Sequence, residues 1–92
     1  MAILDVNNFI VKMANDAVLE IWQKSYKETI QKPLFEVLTE IKDGILPIFE
    51  TVIKTKRAQH GYEYPFLLTR NGVTRKEYFN YTFQPIIKIY FY

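Results

Sequence analysis

Residues 75–92 read RKEYFNYTFQPIIKIYFY. Phe79, Tyr81, Phe83, Ile87, Ile89 and Phe91 take alternate positions and are apolar. Asn80, Thr82, Gln84 and Lys88 supply polar groups on the other set, beside Tyr78, Ile86, Tyr90 and Tyr92. A period of two turns one set to the buried face of a sheet and the other to solvent. After Asn80 the stretch has no Gly, Asn or Asp, and Pro85 is its only breaker. Antiparallel neighbours need at least a two-residue turn to reverse. Two outcomes are open. Pro85–Ile86 can kink into a strained tight turn before a short last strand. Alternatively, one long strand leaves the domain, and residues 87–92 complete a partner's sheet in an exchanged dimer.

Upstream of this stretch the period is again two. Tyr62, Tyr64, Phe66 and Leu68 alternate with Glu63, Pro65 and Leu67. Pro65 donates no backbone hydrogen bond, which argues for an edge strand or a bulge. Asn71-Gly72 between the two runs is a strong hairpin signal, because both residues accept positive φ. Before His60 the period is helical. Ala14, Val18, Ile21 and Trp22 share one face, with Asn15 and Asp16 as candidate caps. Pro33 suits a first helical position, and Leu34, Leu38 and Ile41 repeat behind it with Phe35 beside them. Asp43-Gly44 reads as a stop. Ile45, Phe49, Val52 and Ile53 then mark a third helix, with Pro47 in its first turn. At the N-terminus, Ala2–Leu4 and Phe9–Met13 read as a hairpin about Asp5, Asn7 and Asn8. The expected fold is therefore α+β: an antiparallel sheet with short helices on one face, in the order β-β-α-α-α-β-β(-β).

Length and composition bound the rest. Ninety-two residues make one domain, 1–92, and 49% hydrophobic residues are ample for a core. The net charge of +2 is spread along the chain, and Lys54, Lys56 and Arg57 form its densest run. That falls short of a nucleic-acid footprint, so no nucleic-acid partner is expected. The chain has no Cys, which removes disulfides, thiolate nucleophiles and Cys-ligated metal. No apolar run approaches the roughly 18 residues that span a bilayer, so no membrane insertion and a cytoplasmic location are expected.

The order of these elements, with their residues, resembles the PAS sensor domain of bacterial signalling proteins such as sensor histidine kinases. Asn15–Ala17 is similar to the family's exit from its second strand into its first helix. Leu19-Glu20-Ile21-Trp22 is similar to the motif on that helix. Residues 32–38, KPLFEVL, resemble its Gly-Lys-Pro-Leu region. Tyr78-Phe79 and Pro85-Ile86, five residues apart, look like its fourth strand. The chain departs from the family at Gln23 and Gln31, where Gly is usual, and at Thr39, often Pro. It also lacks the polar turn that normally follows the fourth strand.

The resemblance implies a sensory or interaction module of a two-component system. It would pass a packing change to an effector, and it would not be a catalyst itself. Trp22, Phe35, Leu38, Phe49, Tyr64, Phe66, Asn80, Tyr81 and Phe83 are candidates to line a pocket for an unknown small molecule; plain core is the better reading of them. Ile87, Ile89, Tyr90, Phe91 and Tyr92 are candidates for a homodimer interface. No cofactor is expected: His60, the lone histidine, reads as a loop residue rather than a haem ligand. Glu36, Glu40 and Asp43 read as solvated carboxylates, not an acid–base pair. The alternatives are a purely structural dimerisation domain with no ligand and, further off, a small cone-fold isomerase.

Overall fold

A computed structural model describes all 92 residues. Strand β1 (Ala2–Leu4) pairs antiparallel with β2 (Val11–Ala14). Helices α1 (Asp16–Trp22), α2 (Tyr26–Thr29) and α3 (Leu34–Val37) follow, then a 3-10 turn (Thr39–Ile41) and helix α4 (Lys42–Thr55). The chain closes with β3 (Gln59–Arg70), β4 (Val73–Gln84) and β5 (Lys88–Phe91). All pairings are antiparallel, and the strands lie in the order β2-β1-β5-β4-β3.

One face of this sheet is covered and the other is open. Ala2 and Leu4, Val11, Phe66 and Leu68, Tyr81 and Phe83, and Ile87 and Ile89 join Val18, Leu19, Trp22, Leu34, Leu38, Ile41, Ile45, Phe49 and Val52 in one core. The alternation in residues 79–91 survives the turn. Phe83 pairs with Ile89 and Tyr81 with Phe91, odd positions with odd, so both strands keep their apolar side inward. On the open face Tyr62 and Tyr78 are exposed.

Local chemistry explains most boundaries. The Asn15 side chain accepts the Val18 N–H at 3.0 Å and so caps α1. Helix α1 ends in a Schellman motif: Lys24 N–H reaches the Leu19 carbonyl and Gln23 N–H the Glu20 carbonyl, both at 3.1 Å. Gln23 takes the left-handed backbone this requires, with φ 54°. Gln31 does the same, with φ 62°. Asn71 and Gly72 turn the β3–β4 hairpin at φ 53° and 76°. Strand β3 lies at the sheet edge, with a register shift between Gly61 and Tyr64 and Glu63 at φ 47°.

Five readings are corrected. The expected order has three helices, but residues 25–29 add a further one, α2, opened by a capping box between Ser25 and Glu28. Asp43-Gly44 does not end a helix. Helix α4 begins at Lys42 and runs through both, and the break lies earlier, at Leu38 with φ −127° and ψ 73°. Pro47 therefore sits in the second turn of α4. Ala14 ends strand β2 rather than opening a helix. His60 lies on β3, not in a loop.

The chain does turn after β4. Pro85–Ile87 connect the paired residues Gln84 and Lys88. Strand β5 enters its own sheet between β1 and β4.

Two substitutions test this reading. The Tyr81 ring packs against Gly61, its cross-strand neighbour, and a Cβ there would collide with the ring edge at Cε2. Gly61→Ala is expected to cost about 1–3 kcal/mol in denaturant unfolding, and Tyr81→Leu in the same chain to recover much of it. Gln23→Gly is expected to stabilise by about 1 kcal/mol, because Gly takes the left-handed position without a Cβ penalty.

Candidate functional site

Six of the nine pocket candidates, Phe35, Phe49, Tyr64, Phe66, Tyr81 and Phe83, come together as one aromatic cluster. Phe35 lies 6.0 Å from Phe49 between ring centroids, Phe49 5.2 Å from Phe83, and Phe83 4.4 Å from Tyr81. Tyr81 meets Tyr64 edge-on at 5.6 Å and Phe66 at 5.7 Å. Trp22, Leu38, Phe49, Phe66, Tyr81 and Phe83 are buried, while Tyr64 reaches the surface. The Asn80 side chain points to the other side of β4 and accepts the Glu63 N–H at 2.9 Å, which holds the β3 bulge. The rings touch each other, so most of the set is core.

The one crevice in the covered face lies elsewhere. Ile21, Trp22, Ile41, Ile45, Phe66, Leu68, Phe79 and Phe91 line it, and every one is apolar. Its cavity volume is about 10 Å³, room for roughly one water, and its walls offer that water no partner. Only Trp22 and Phe66 of the pocket candidates reach it. Ile21, Ile41 and Ile45 were visible in the sequence as inward-facing positions. Their convergence with Leu68 and Phe79 was not, because it depends on how α1 and the start of α4 cross the sheet.

Polar residues brace one side of this region. Arg70 Nη2 donates to the Ile21 carbonyl at 2.8 Å, near the end of α1. The same guanidinium forms a two-point ion pair with Glu77, through Nε to Oε2 and through Nη2 to Oε1 at 3.0 Å. Arg70 and Glu77 are roughly 30% exposed, at 28% and 30%. The hydrogen bonds from Arg70 hold the Glu77 carboxyl below its usual range and raise the Arg70 guanidinium. Thr69 Oγ1 donates to Glu40 Oε2 at 2.7 Å, which ties the 3-10 turn to β3. Burial, then the neighbouring Tyr64, pushes the Tyr81 phenol up.

The carboxylates are not arranged as an acid–base pair. Glu36 and Asp43 are exposed on their helices, and Glu40 bonds a threonine. His60 is exposed, its Nδ1 3.1 Å from the Thr82 hydroxyl. No group of three His, Asp or Glu side chains is placed to hold a metal. No helix is long and apolar enough to cross a membrane. The interface candidates divide. Ile87 and Ile89 are wholly buried in their own sheet, Tyr90 and Phe91 are half-buried, and Tyr92 is exposed.

No protein-family model matches the chain, and no curated protein or solved structure matches it.

The ion pair yields a pH dependence. Glu77 is ionised at lower pH in the folded chain than in the unfolded one. Its contribution is therefore complete above the unfolded-state pKa and is lost as pH falls through the lowered folded value. Glu77→Gln is expected to cost about 1 kcal/mol or less near neutrality, and nothing in acid below both values. Parallel denaturant titrations of both chains across the acid range check it.

Proposed function

We propose that this chain is a sensory and protein-interaction module of a bacterial signal-transduction protein of the sensor-kinase type, working as a homodimer in the cytoplasm. It carries no catalysis of its own. The observation that carries this reading is backbone geometry. At Gln23 and Gln31, where the resemblance expects Gly, the chain holds left-handed φ with a larger residue. A left-handed position is what makes Gly usual there. The strand-helix-strand element order supports the same reading.

The filled interior favours one mode of sensing over another. A crevice of about 10 Å³ cannot hold a metabolite, whose sites usually need hundreds of Å³. The signal would therefore be a shift in packing, driven by a partner or by a ligand that opens the crevice. The contact from Trp22 on α1 to Phe91 on β5, 6.5 Å between centroids, joins the helical layer to the last strand. A displaced α1 would move that strand, and the response would be a shift between two packings. The same filled core favours, as a second reading, a dimerisation domain with no ligand.

Native mass spectrometry separates the two: a retained small molecule supports sensing, and a bare dimer supports structural dimerisation. Trp22, the chain's one tryptophan, lines the crevice. A compound that enters is expected to change its emission, and a retained compound that leaves Trp22 unchanged counts against the crevice as the entry point.

A further inference from the structure

We propose that β5 exchanges between two copies of this chain, with Pro85–Ile87 as the hinge. This rests on the dimer proposed above, not on its sensing role. Ile86 has φ 62° and Ile87 φ 34°, two consecutive β-branched residues in the left-handed region. For such residues that backbone is a steric outlier, because Cβ crowds the carbonyl oxygen. Each disfavours the closed turn by about tenfold or more. The other tight turn of the same sheet shows the contrast: there Asn71 and Gly72 hold φ 53° and 76°.

An open hinge removes this strain. Pro85 fixes its own φ in the extended range and biases Gln84 to extended backbone. Ile86 and Ile87 favour extended strands for the same reason that they resist the turn. Residues 79–91 would then form one long strand. Little is lost in the exchange. Ile87 and Ile89 are 0% exposed, the Leu4 N–H bonds the Ile87 carbonyl at 2.9 Å, and Ile89 pairs with Ala2 and Phe83. A second copy's β5 would supply each of these contacts. Ile86 is 73% exposed, so its part of the hinge opens without uncovering core, while Ile87, at 0%, travels with β5 into the second copy.

The chain has no Cys, so a double substitution, Thr82→Cys with Tyr90→Cys, introduces the only thiols. These residues face each other across β4 and β5. Their Cα atoms, about 5.5 Å apart in a hydrogen-bonded pair, can be bridged. After oxidation at micromolar concentration, a covalent dimer on a non-reducing gel is expected. A dimer by light scattering whose disulfides all lie within single chains overturns the exchange and leaves the dimer standing. A monomer overturns both. Independently, Ile86→Asn relaxes the turn without touching the core. Two hinges open per dimer, so its dimer Kd is expected to weaken by about a hundredfold. An unchanged Kd overturns the hinge.

Discussion

Strand β5 lies between β1 and β4, so the β1–β2 and β3–β4 hairpins meet in the sheet only through it. Ile89 carries this junction, with Ala2 on one side and Phe83 on the other. Phe91 extends it into the aromatic core, with Phe66, Phe83 and Phe79 at 5.6 to 5.8 Å. Without this strand the sheet falls into two hairpins under a shared helical cover, and an isolated hairpin is marginal in water. The strained turn is tolerated because it seats the strand that joins them.

The same arrangement places the helices. Helix α1 is held at both ends, by Asn15 at its start and by Arg70 under Ile21 near its finish. Helix α4 lies over the sheet through Ile45, Phe49 and Val52. Close packing of this kind does not deform gradually, so a perturbation moves elements as units between packings. The crevice between α1, α4 and the sheet has only apolar walls, and the hydrogen bond from Arg70 to the Ile21 carbonyl is the polar tie that such a movement of α1 has to break.

The sheet was largely legible from residue order. Alternation in residues 64–68 and 79–91 gave the right faces, Tyr62 lies past the bulge on the open face against the alternation, and Asn71-Gly72 gave the hairpin. Helix α2 was less legible: four residues are too few to show a period, although Ser25 and Glu28 held its capping signal. Asp43-Gly44 misled because a local stop signal competed with the stripe of Ile45, Phe49 and Val52. Burial of that stripe is worth more than Gly's roughly 1 kcal/mol helix penalty. The crevice was not legible, since its eight walls come from separate elements that only the topology gathers. The turn at Ile86–Ile87 left two outcomes open because local preference and sheet closure conflict there.

The central place of β5 also bears on how the chain folds. β1 and β5 are far apart in sequence, with every other element between them, yet they pair. Closing that contact costs more chain entropy than closing either hairpin, so both hairpins can form while the slot between them is still empty. Each then carries an open edge facing the gap, and open edges invite pairing with other chains. The finished sheet hides these edges, so the chain is exposed to misassembly only while the slot is open.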